Sequence, residues 1–349
     1  MPDQPLWTPP EKRKSGSNLR RFMDELERTE TDSLQSYADI LGFSTAKPEA
    51  FWLKLWEFCG VVAEARGKTV LVDGDRMPGG RFFPDARLNY AENLLRRNDD
   101  KPALVFWGED RIRLNMSWRQ LNARVAQTHR ALAKAGIKPG DRVCILSPNS
   151  HYFLESYYGV TQIGAILVPL NYRLVASDHE YIINHAGVKA VLVDYEFTGV
   201  IDEIRPSLKS VEHWIAADPR AGHETRAGWI DWDVLVSNQP KTATPHVEQD
   251  ENDVTSINYT SGTTARPKGV MLTHRNVYIN AYNFIAHLRI RHEDREMWTL
   301  PMFHANGWGG PFAITAMGAT HVVLRAVVGA DIYQMIQDEQ ITFACMAPA

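Results

Sequence analysis

The residues best suited to chemistry lie in one segment of the sequence, Tyr259-Thr-Ser-Gly-Thr-Thr-Ala-Arg-Pro-Lys-Gly-Val270. The segment brings together hydroxyl residues, a glycine and a lysine, namely Thr260, Ser261, Thr263, Thr264, Gly262 and Lys268. Backbone N–H groups, hydroxyls and an ammonium group in one tight loop suit an anion such as a polyphosphate. Because the segment follows a predicted strand and precedes a predicted helix, we interpret it as a phosphate-binding loop rather than an ordinary surface turn.

This loop differs from the Walker-type loop of nucleoside-triphosphate kinases and switches, which requires the pattern G-x-x-x-x-G-K-S/T. Counted from Gly262, Pro267 stands at the position of the second glycine. Gly269 follows Lys268 at the position where the Walker loop has the hydroxyl residue that holds magnesium. Two of the four fixed positions fail, so the sequence excludes a Walker-type enzyme.

The segment closely resembles the phosphate loop of the adenylate-forming superfamily, which includes acyl-CoA synthetases, peptide-synthetase adenylation domains and luciferases. That loop runs Tyr/Phe-Thr-Ser-Gly-Thr-Thr-Gly-x-Pro-Lys-Gly, and ten of its eleven positions fit here, with Ala265 in place of the inner glycine. Alanine cannot adopt positive φ freely, so this exchange bears on the mobility of the loop. The resemblance implies that the loop cradles the β- and γ-phosphates of ATP, with Mg²⁺ bridging, and that Lys268 is catalytic.

A second segment, Leu300-Pro-Met-Phe-His-Ala-Asn-Gly-Trp308, resembles the next motif of the same superfamily. A lone histidine is more often a satisfied core residue, but His304 follows the phosphate loop by about 40 residues, in the order that the family uses. The resemblance implies that His304 is catalytic and packs at the acyl-carboxylate site. Asn306, Gly307 and Trp308 resemble the fatty-acyl branch, in which the tryptophan borders the acyl tunnel. A core aromatic residue is the alternative interpretation of Trp308.

The first part of the sequence resembles another branch of the superfamily. Residues 1–97 are similar to the N-terminal extension of acetyl- and acetoacetyl-CoA synthetases, through Phe51-Trp52, Phe58-Cys-Gly-Val61 and Phe83-Pro-Asp-Ala-Arg-Leu-Asn-Tyr-Ala-Glu-Asn93. We therefore predict residues 98–349 as a partial AMP-binding (adenylation) domain. The extension indicates short-chain acids, whereas the motif that ends at Trp308 indicates longer ones.

The resemblance implies an ATP-dependent acid–thiol ligase, an acyl-CoA synthetase, that works in two steps. A carboxylic acid and ATP give acyl-AMP and pyrophosphate, and the thiol of coenzyme A then displaces AMP to give acyl-CoA. We expect a medium- or long-chain fatty acid as substrate, with acetoacetate or acetate as the alternative. ATP, Mg²⁺ and coenzyme A are the expected cofactors and co-substrates, and a homodimer is expected only by analogy with the family.

The elements that position these motifs are apolar runs that alternate with helical periods from Pro102 onward. This alternation predicts an α/β fold in which two mostly parallel sheets are layered with helices. We expect a first sheet over about 98–217 and a second over about 250–349, with a polar connection between them at 218–247. In the N-terminal block, the spacing of Phe51, Leu55 and Phe58 predicts an amphipathic helix.

The composition is that of an ordinary globular protein, with 23% charged and 44% hydrophobic residues. A net charge of −4 argues against nucleic acid or an anionic membrane as a partner, and three scattered cysteines suit a reduced protein. The apolar stretches are shorter than the ~18 residues that a membrane-spanning helix needs. We therefore expect a cytoplasmic protein whose partners are a small carboxylic acid, ATP and coenzyme A.

The sequence ends in an apolar run, Ile341-Thr-Phe-Ala-Cys-Met-Ala-Pro-Ala349, which we interpret as a buried strand cut short. The family's Tyr-Gly-x-Thr-Glu and Thr-Gly-Asp segments are missing, as is the small domain that supplies the adenylation lysine, so we identify no metal ligand. We expect a truncated adenylate-forming domain. The alternative function is that of a catalytically incomplete nucleotide-binding fragment, inactive on its own.

Overall fold

The computed structural model describes residues 7–30, 33–108, 113–218, 225–242, 244–260 and 266–346. The chain divides into two compact units, Met1–Leu88 and Asn89–Ala349. The first unit ends earlier than the predicted boundary at residue 97, because the helix Tyr90–Leu94 contributes Ala91 to the core of the second unit. All of the candidate site residues belong to the second unit.

Within the described residues, the first unit consists of helices and one short antiparallel strand pair. Its elements are α1 (Glu11–Ser15), α2 (Asn18–Thr29), α3 (Tyr37–Ala46), α4 (Pro48–Cys59), β1 (Leu71–Val72) and β2 (Arg81–Phe82). The predicted stripe of Phe51, Leu55 and Phe58 lies on α4, where it packs against a small apolar core from α2 and α3. The amphipathic helix is therefore confirmed.

The second unit is the α/β layer structure that the alternating pattern predicts. Its strands are β3 (Pro102–Trp107), β4 (Arg113–Ser117), β5 (Arg142–Leu146), β6 (Ile166–Leu170), β7 (Val188–Asp194), β8 (His213–Ala217), β9 (Ile230–Asp231), β10 (Val254–Thr260), β11 (Lys268–Thr273), β12 (Arg295–Trp298), β13 (Thr320–Leu324) and β14 (Phe343–Ala344). Its helices are α5 (Tyr90–Leu94), α6 (Trp118–Lys134), α7 (His151–Gln162), α8 (Ala176–Ala186), α9 (Thr198–Ile204), α10 (Trp232–Ser237), α11 (His274–Leu288), α12 (Gly310–Met317) and α13 (Gly329–Asp338).

In the described part of the chain, seven strands form one sheet in the order β11-β10-β6-β5-β7-β8-β9. Neighbouring strands run parallel except for β10 and β11, which form an antiparallel hairpin at one edge. The central strands β5, β6 and β7 are buried along almost their whole length. This burial explains their continuous apolar sequences, which are typical of parallel strands covered by helices on both faces.

The other five strands of the second unit described here form a sheet in the order β14-β12-β13-β3-β4, in which only β3 and β4 are antiparallel. The predicted division into sheets over 98–217 and 250–349 is therefore wrong. Strands β3 and β4 belong with the late strands, and β10 and β11 belong with the early ones. Apolar runs identify strands but not their partners. Strand β3 is buried and pairs with β4 on one side and with β13 on the other, where Leu104 lies opposite His321.

Two further predictions need correction. The polar stretch 218–247 does not join the two sheets, because its described part contains β9 and α10 and leads from one strand of the larger sheet to another. Buried Trp232 begins α10, and its Nε1 donates to Glu155 at 2.9 Å. The predicted terminal strand is only half-buried, since β14 lies at the edge of its sheet.

The carboxyl ends of the two sheets are joined by a buried ion pair. Arg325 follows β13 directly and donates from two nitrogens to the carboxylate of Asp194, the last residue of β7, at 2.6 and 3.2 Å. Ligands of open α/β sheets bind outside the carboxyl ends of the strands. The place where these ends meet is therefore where a site is expected.

Candidate functional site

The segment predicted to bind phosphate connects the two strands of the β10–β11 hairpin. Thr260 ends β10 and lies opposite Lys268, which begins β11, and both side chains are exposed. Ser261, Gly262, Thr263, Thr264 and Ala265 lie outside the described residues. The expected helix does not follow directly, because β11 precedes α11. Of the described residues, those next to this segment are therefore strand ends, Thr260 and Lys268, rather than a helix N-terminus.

A cavity of about 170 Å³ lies beside this hairpin and contains residues of both candidate motifs. Thr260 lines it from β10, and His304 lines it from the segment after β12. Asn258 also lines the cavity; it is 7% exposed, and neither polar atom of its amide has a hydrogen-bond partner among the described residues. Since unpaired buried polar groups are rare, this amide is suited to bind a ligand.

The backbone after His304 makes a turn of left-handed conformation. Ala305, Asn306, Gly307 and Trp308 have φ values of 44°, 47°, 57° and 59°. This conformation costs roughly 1–2 kcal/mol for each residue that has a Cβ atom. We call His304–Gly309 the histidine turn. Such strain persists only where surrounding contacts hold it, and it concentrates at functional sites.

The glycines of the histidine turn are required by close approach as well as by φ. A Cβ atom on Gly307 would lie 3.0 Å from the ring of Trp298. At Gly309, where φ is +83°, a Cβ atom would lie 2.1 Å from Oδ1 of Asn280, on α11. The turn therefore fits directly against β12 on one side and α11 on the other.

Asn149 fixes the segment that leads into the turn. It follows β5, is buried, and its Oδ1 accepts from the backbone N–H of Met302 at 2.8 Å. Its Nδ2 donates to the carbonyl oxygens of Leu300 at 2.8 Å and Trp298 at 3.3 Å. The hydroxyl of Tyr157 donates to the carbonyl of Met302. One sheet thereby positions the histidine that follows a strand of the other.

The predicted site residues fall into distinct places. Thr260 and His304 meet at the cavity, whereas Lys268 stands across the hairpin from Thr260 and is not among the lining residues. Asn306 is buried and donates from Nδ2 to the hydroxyl of Ser256 at 2.6 Å. Trp308 is 60% exposed, so the interpretation as a core aromatic residue is wrong.

A hydrogen bond joins α8 to Tyr259, the residue before the last of β10. The hydroxyl of Tyr259 lies 2.7 Å from Nδ1 of His185, and burial raises the pKa of Tyr259 to about 12. The ring of Tyr181 stacks on His185, and the guanidinium of Arg266 lies 5.4 Å from the centre of the Tyr181 ring. This cluster holds the first residue of the predicted phosphate-binding segment, Tyr259, against α8.

Asn149, Asn258 and His185 are not among the site residues predicted from the sequence. Asn149 carried a usable signal, because it closely follows the apolar strand β5, whereas Asn258 lies in a strand that also contains Thr255 and Ser256 and so does not stand out. A polar residue just after an apolar strand marks the strand end at which sites form. His185 carried none, since it is one of several polar residues on α8.

Over the described residues, no group of three or more His, Cys, Asp or Glu side chains is arranged to hold a metal ion. The same part of the chain has no helix that is both long and apolar enough to cross a membrane.

Comparisons with known proteins agree with this architecture. The profile of the AMP-binding enzyme family matches residues 91–349, and that of the acetyl-coenzyme A synthetase N-terminus matches residues 37–94. The 4-hydroxybutyrate–CoA ligase 2 of Metallosphaera sedula is 36% identical over 225 residues, which are 62% of this chain and 40% of that protein. The long-chain-fatty-acid–CoA ligase FadD13 of Mycobacterium tuberculosis is 32% identical over 258 residues, 73% of this chain and 49% of that protein.

A solved structure shows the same fold. The anthranilate CoA ligase AuaEII in complex with anthranoyl-AMP superimposes with a TM-score of 0.67 and 27% identity, over 74% of this chain and 49% of that one. The chain thus spans about half the length of the proteins it matches. Because the family profile covers all of the second unit except its first residues, the chain belongs to the AMP-binding enzyme family.

Proposed function

We propose that this chain carries the nucleotide- and acyl-binding part of an AMP-forming acyl-CoA ligase. The observation that carries the proposal is the cavity that Thr260, near the start of the predicted phosphate-binding segment, lines together with His304. A ligase of this kind must hold a triphosphate and a carboxylate side by side. Two motifs from different sheets converge at one cavity, which is the arrangement that such a pairing requires.

The reaction has two steps. A carboxylate oxygen attacks the α-phosphorus of ATP, the bond between the α-phosphorus and the bridging oxygen breaks, and pyrophosphate leaves. The sulfur of coenzyme A then attacks the acyl carbon, loses its proton, and AMP leaves with the former carboxylate oxygen. Since a carboxylate is a weak nucleophile and the triphosphate is highly charged, catalysis consists mainly of positioning and charge neutralisation.

On the nucleotide side, we assign the β- and γ-phosphates to Thr260, Ser261, Gly262, Thr263, Thr264 and Lys268. The exposed ammonium group of Lys268 is free to approach the leaving pyrophosphate, where it would stabilise the charge that develops. Mg²⁺ would arrive with the nucleotide. The described residues offer no carboxylate cluster for this ion, so no step is assigned to protein ligands of the metal.

On the acyl side, His304 faces the cavity and is assigned to the carboxylate of the acid. Asn306, which is buried, and Gly307, where a Cβ atom would lie 3.0 Å from the ring of Trp298, are assigned to the same acyl side, although neither lines the cavity. Trp308, edge-on to Phe284 with ring centres 6.1 Å apart, is assigned to the rim of the acyl-binding space. Exposure of a large aromatic residue next to a site is consistent with contact to an apolar ligand.

The substrate is a carboxylic acid, and the proteins similar to this chain differ in the acid that their names give: 4-hydroxybutyrate, a long-chain fatty acid or anthranilate. We keep a medium- or long-chain fatty acid as the first candidate, on the resemblance around Trp308. Acetoacetate or acetate is the alternative, on the match of residues 37–94. A cytoplasmic location and a homodimer stay predictions.

The test is acid-dependent exchange of labelled pyrophosphate into ATP. It would be run with the 349-residue chain and with any longer protein in which the chain occurs, over a panel of acids from acetate to palmitate. We expect exchange that requires both ATP and an acid. Binding of ATP without exchange for every acid would contradict the ligase and support the alternative, a nucleotide-binding module without adenylation activity.

A further inference from the structure

One face of the larger sheet forms a wall of the cavity that Thr260 and His304 line. Strand β10 pairs in parallel with β6, where Ser256 lies beside Leu167, and antiparallel with β11, where Ser256 lies beside Leu272. Residues opposite each other on neighbouring strands share a face, as does every second residue along a strand. The cavity-lining residues of this face are Pro169, Asn171, Asn258, Thr260, Val270 and Leu272.

Asn171 directly follows β6 and has no part in the proposed function so far. Four residues beyond the register pair of β6 and β10, it comes to lie beside Thr260. Lys268 lies opposite Thr260 on the other side. Since neighbouring strands are about 4.8 Å apart, an amide, a hydroxyl and an ammonium group form one row across three strands. Thr260 and Lys268 are assigned to phosphates, so Asn171 occupies the end of the row where the acid has to lie beside the nucleotide.

A ring contact brings Asn171 close to the histidine motif. Tyr172 meets Phe303 edge-on, with ring centres 5.5 Å apart. Asn171 comes directly before the first of these residues, and His304 comes directly after the second. The amide and the imidazole therefore belong to two segments in contact, and both residues line the same cavity.

Half of the Asn171 amide is already paired. Its Oδ1 accepts from the backbone N–H of Arg173 at 3.0 Å, and this bond fixes the orientation of the amide, because a backbone N–H can pair only with the amide oxygen. Among the described residues, no group accepts from its Nδ2. What remains is a pair of N–H donors without an acceptor. Such a group suits an anionic oxygen and does not suit a cation.

We propose that Asn171 is a further binding residue of the site, whose Nδ2 donates to a carboxylate oxygen of the acid. The inference rests on the proposed function and deepens it. No lysine or arginine is among the described residues that line the cavity, so a carboxylate there depends on His304 and on uncharged donors. Most of the lining residues are apolar, which strengthens such a hydrogen bond. An oxygen of the α-phosphate has the same chemistry, and the experiments below separate the two.

Two variants distinguish contact with the acid from a role in the turn alone. Asn171→Asp keeps the oxygen that accepts from Arg173 and replaces the donors with a charged oxygen, whereas Asn171→Ala removes both. In the exchange assay at saturating ATP, the KM for octanoate should rise about tenfold in Asn171→Ala and at least about 100-fold in Asn171→Asp. Asn115→Asp, at an exposed position on β4 of the other sheet, is the control and should leave this KM unchanged. A purely structural role predicts a defect in Asn171→Ala and a normal KM in Asn171→Asp, and that order would overturn the proposal.

Binding without turnover separates this proposal from the ligase activity. Carbon-13 NMR of octanoate labelled at its carboxyl carbon gives the Kd of the acid, and calorimetry gives the Kd of ATP. In Asn171→Ala, we expect the Kd of octanoate to rise about tenfold and that of ATP to stay within about threefold. Weaker binding of ATP with unchanged binding of octanoate would assign Asn171 to the α-phosphate and overturn the proposal. Weaker binding of octanoate in a chain that shows no exchange would support it while the ligase function fails.

Discussion

The two regions that meet at the cavity are built in opposite ways. The β10–β11 hairpin lies at the edge of its sheet, where β11 pairs only with β10 among the described strands, and Val270 and Met271 are 45% and 64% exposed. The segment that leads into the histidine turn is held by Asn149 and Tyr157, and the turn itself lies against Trp298. The hairpin presents its polar groups with little packing around them, whereas the turn depends on packing for its conformation. A substitution in the hairpin should therefore change activity without changing stability, whereas a substitution beside the turn should change both.

The largest effect should come from Lys268→Ala in the hairpin. We expect a loss of about 10²- to 10³-fold in pyrophosphate exchange, because a charge that stabilises the leaving group is removed. The free energy of unfolding should change by less than about 0.5 kcal/mol, since the side chain is exposed. Exchange kinetics and urea unfolding measure the two quantities. Lys209→Ala, another exposed lysine, should alter neither; a matching loss of stability in Lys268→Ala would break the comparison.

The next effect should come from Asn149→Ala beside the turn. This change removes three hydrogen bonds of a buried side chain and leaves backbone groups unpaired, so the free energy of unfolding should fall by about 3 kcal/mol. Urea unfolding measures it. Asn184→Ala, which removes one exposed bond to the carbonyl of Ser207, should cost less than about 1 kcal/mol. Equal losses in both variants would show that the turn is not held as described.

The sequence predicted the chemistry of the hairpin better than its shape. Order and residue type along Tyr259–Val270 are local properties, so they could be matched directly. The strand Lys268–Thr273 was missed because a loop followed by a helix was expected, although Val270 and Leu272 alternate with other residues as in a strand. Whether this segment forms a strand or a loop depends on its pairing with β10, and that pairing is a contact between segments that the local sequence does not show.

For the turn, the sequence predicted the residues but not the conformation. Nothing in Ala305 or Trp308 favours positive φ; the segment before the turn is bonded to Asn149 and Tyr157, and the turn itself fits closely against Asn280 on α11. Asn149 precedes His304 by more than 150 residues, so its role could not be predicted from spacing. The pairing of β3 with β13 was missed for the same reason.

A pH series tests the buried region around the histidine turn, through Glu296 on β12. Burial raises the pKa of Glu296 from 4.5 to about 8, so between these values the folded protein keeps a proton that the unfolded chain releases. The contribution of this group to stability is therefore complete below pH 4.5 and falls as the pH rises to about 8, by on the order of 1 kcal/mol per pH unit. The Glu296→Gln variant should lack this dependence on pH. Unfolding of both proteins in urea from pH 5 to pH 8 measures the difference; a gap that changes in the opposite direction would contradict the assignment.

The smallest effect should come from the bond between Tyr259 and His185. Because His185 is exposed, Tyr259→Phe and His185→Leu should each lower the free energy of unfolding by less than about 1 kcal/mol. A double-mutant cycle should give a coupling of about 0.5 kcal/mol or more, since both variants remove the same bond. Strictly additive effects would mean that the bond does not hold the hairpin.

The interleaved order of strands in the five-stranded sheet has a consequence for synthesis. Thr320, at the start of β13, donates to the carbonyl of Pro102 in β3, across 218 residues of sequence. At a translation rate of 5–20 residues per second, roughly 10 to 40 seconds separate the emergence of these two strands. The larger sheet can assemble during that interval from segments already made. The β3–β4 pair has to wait with one edge open, and an open edge can pair with a wrong partner.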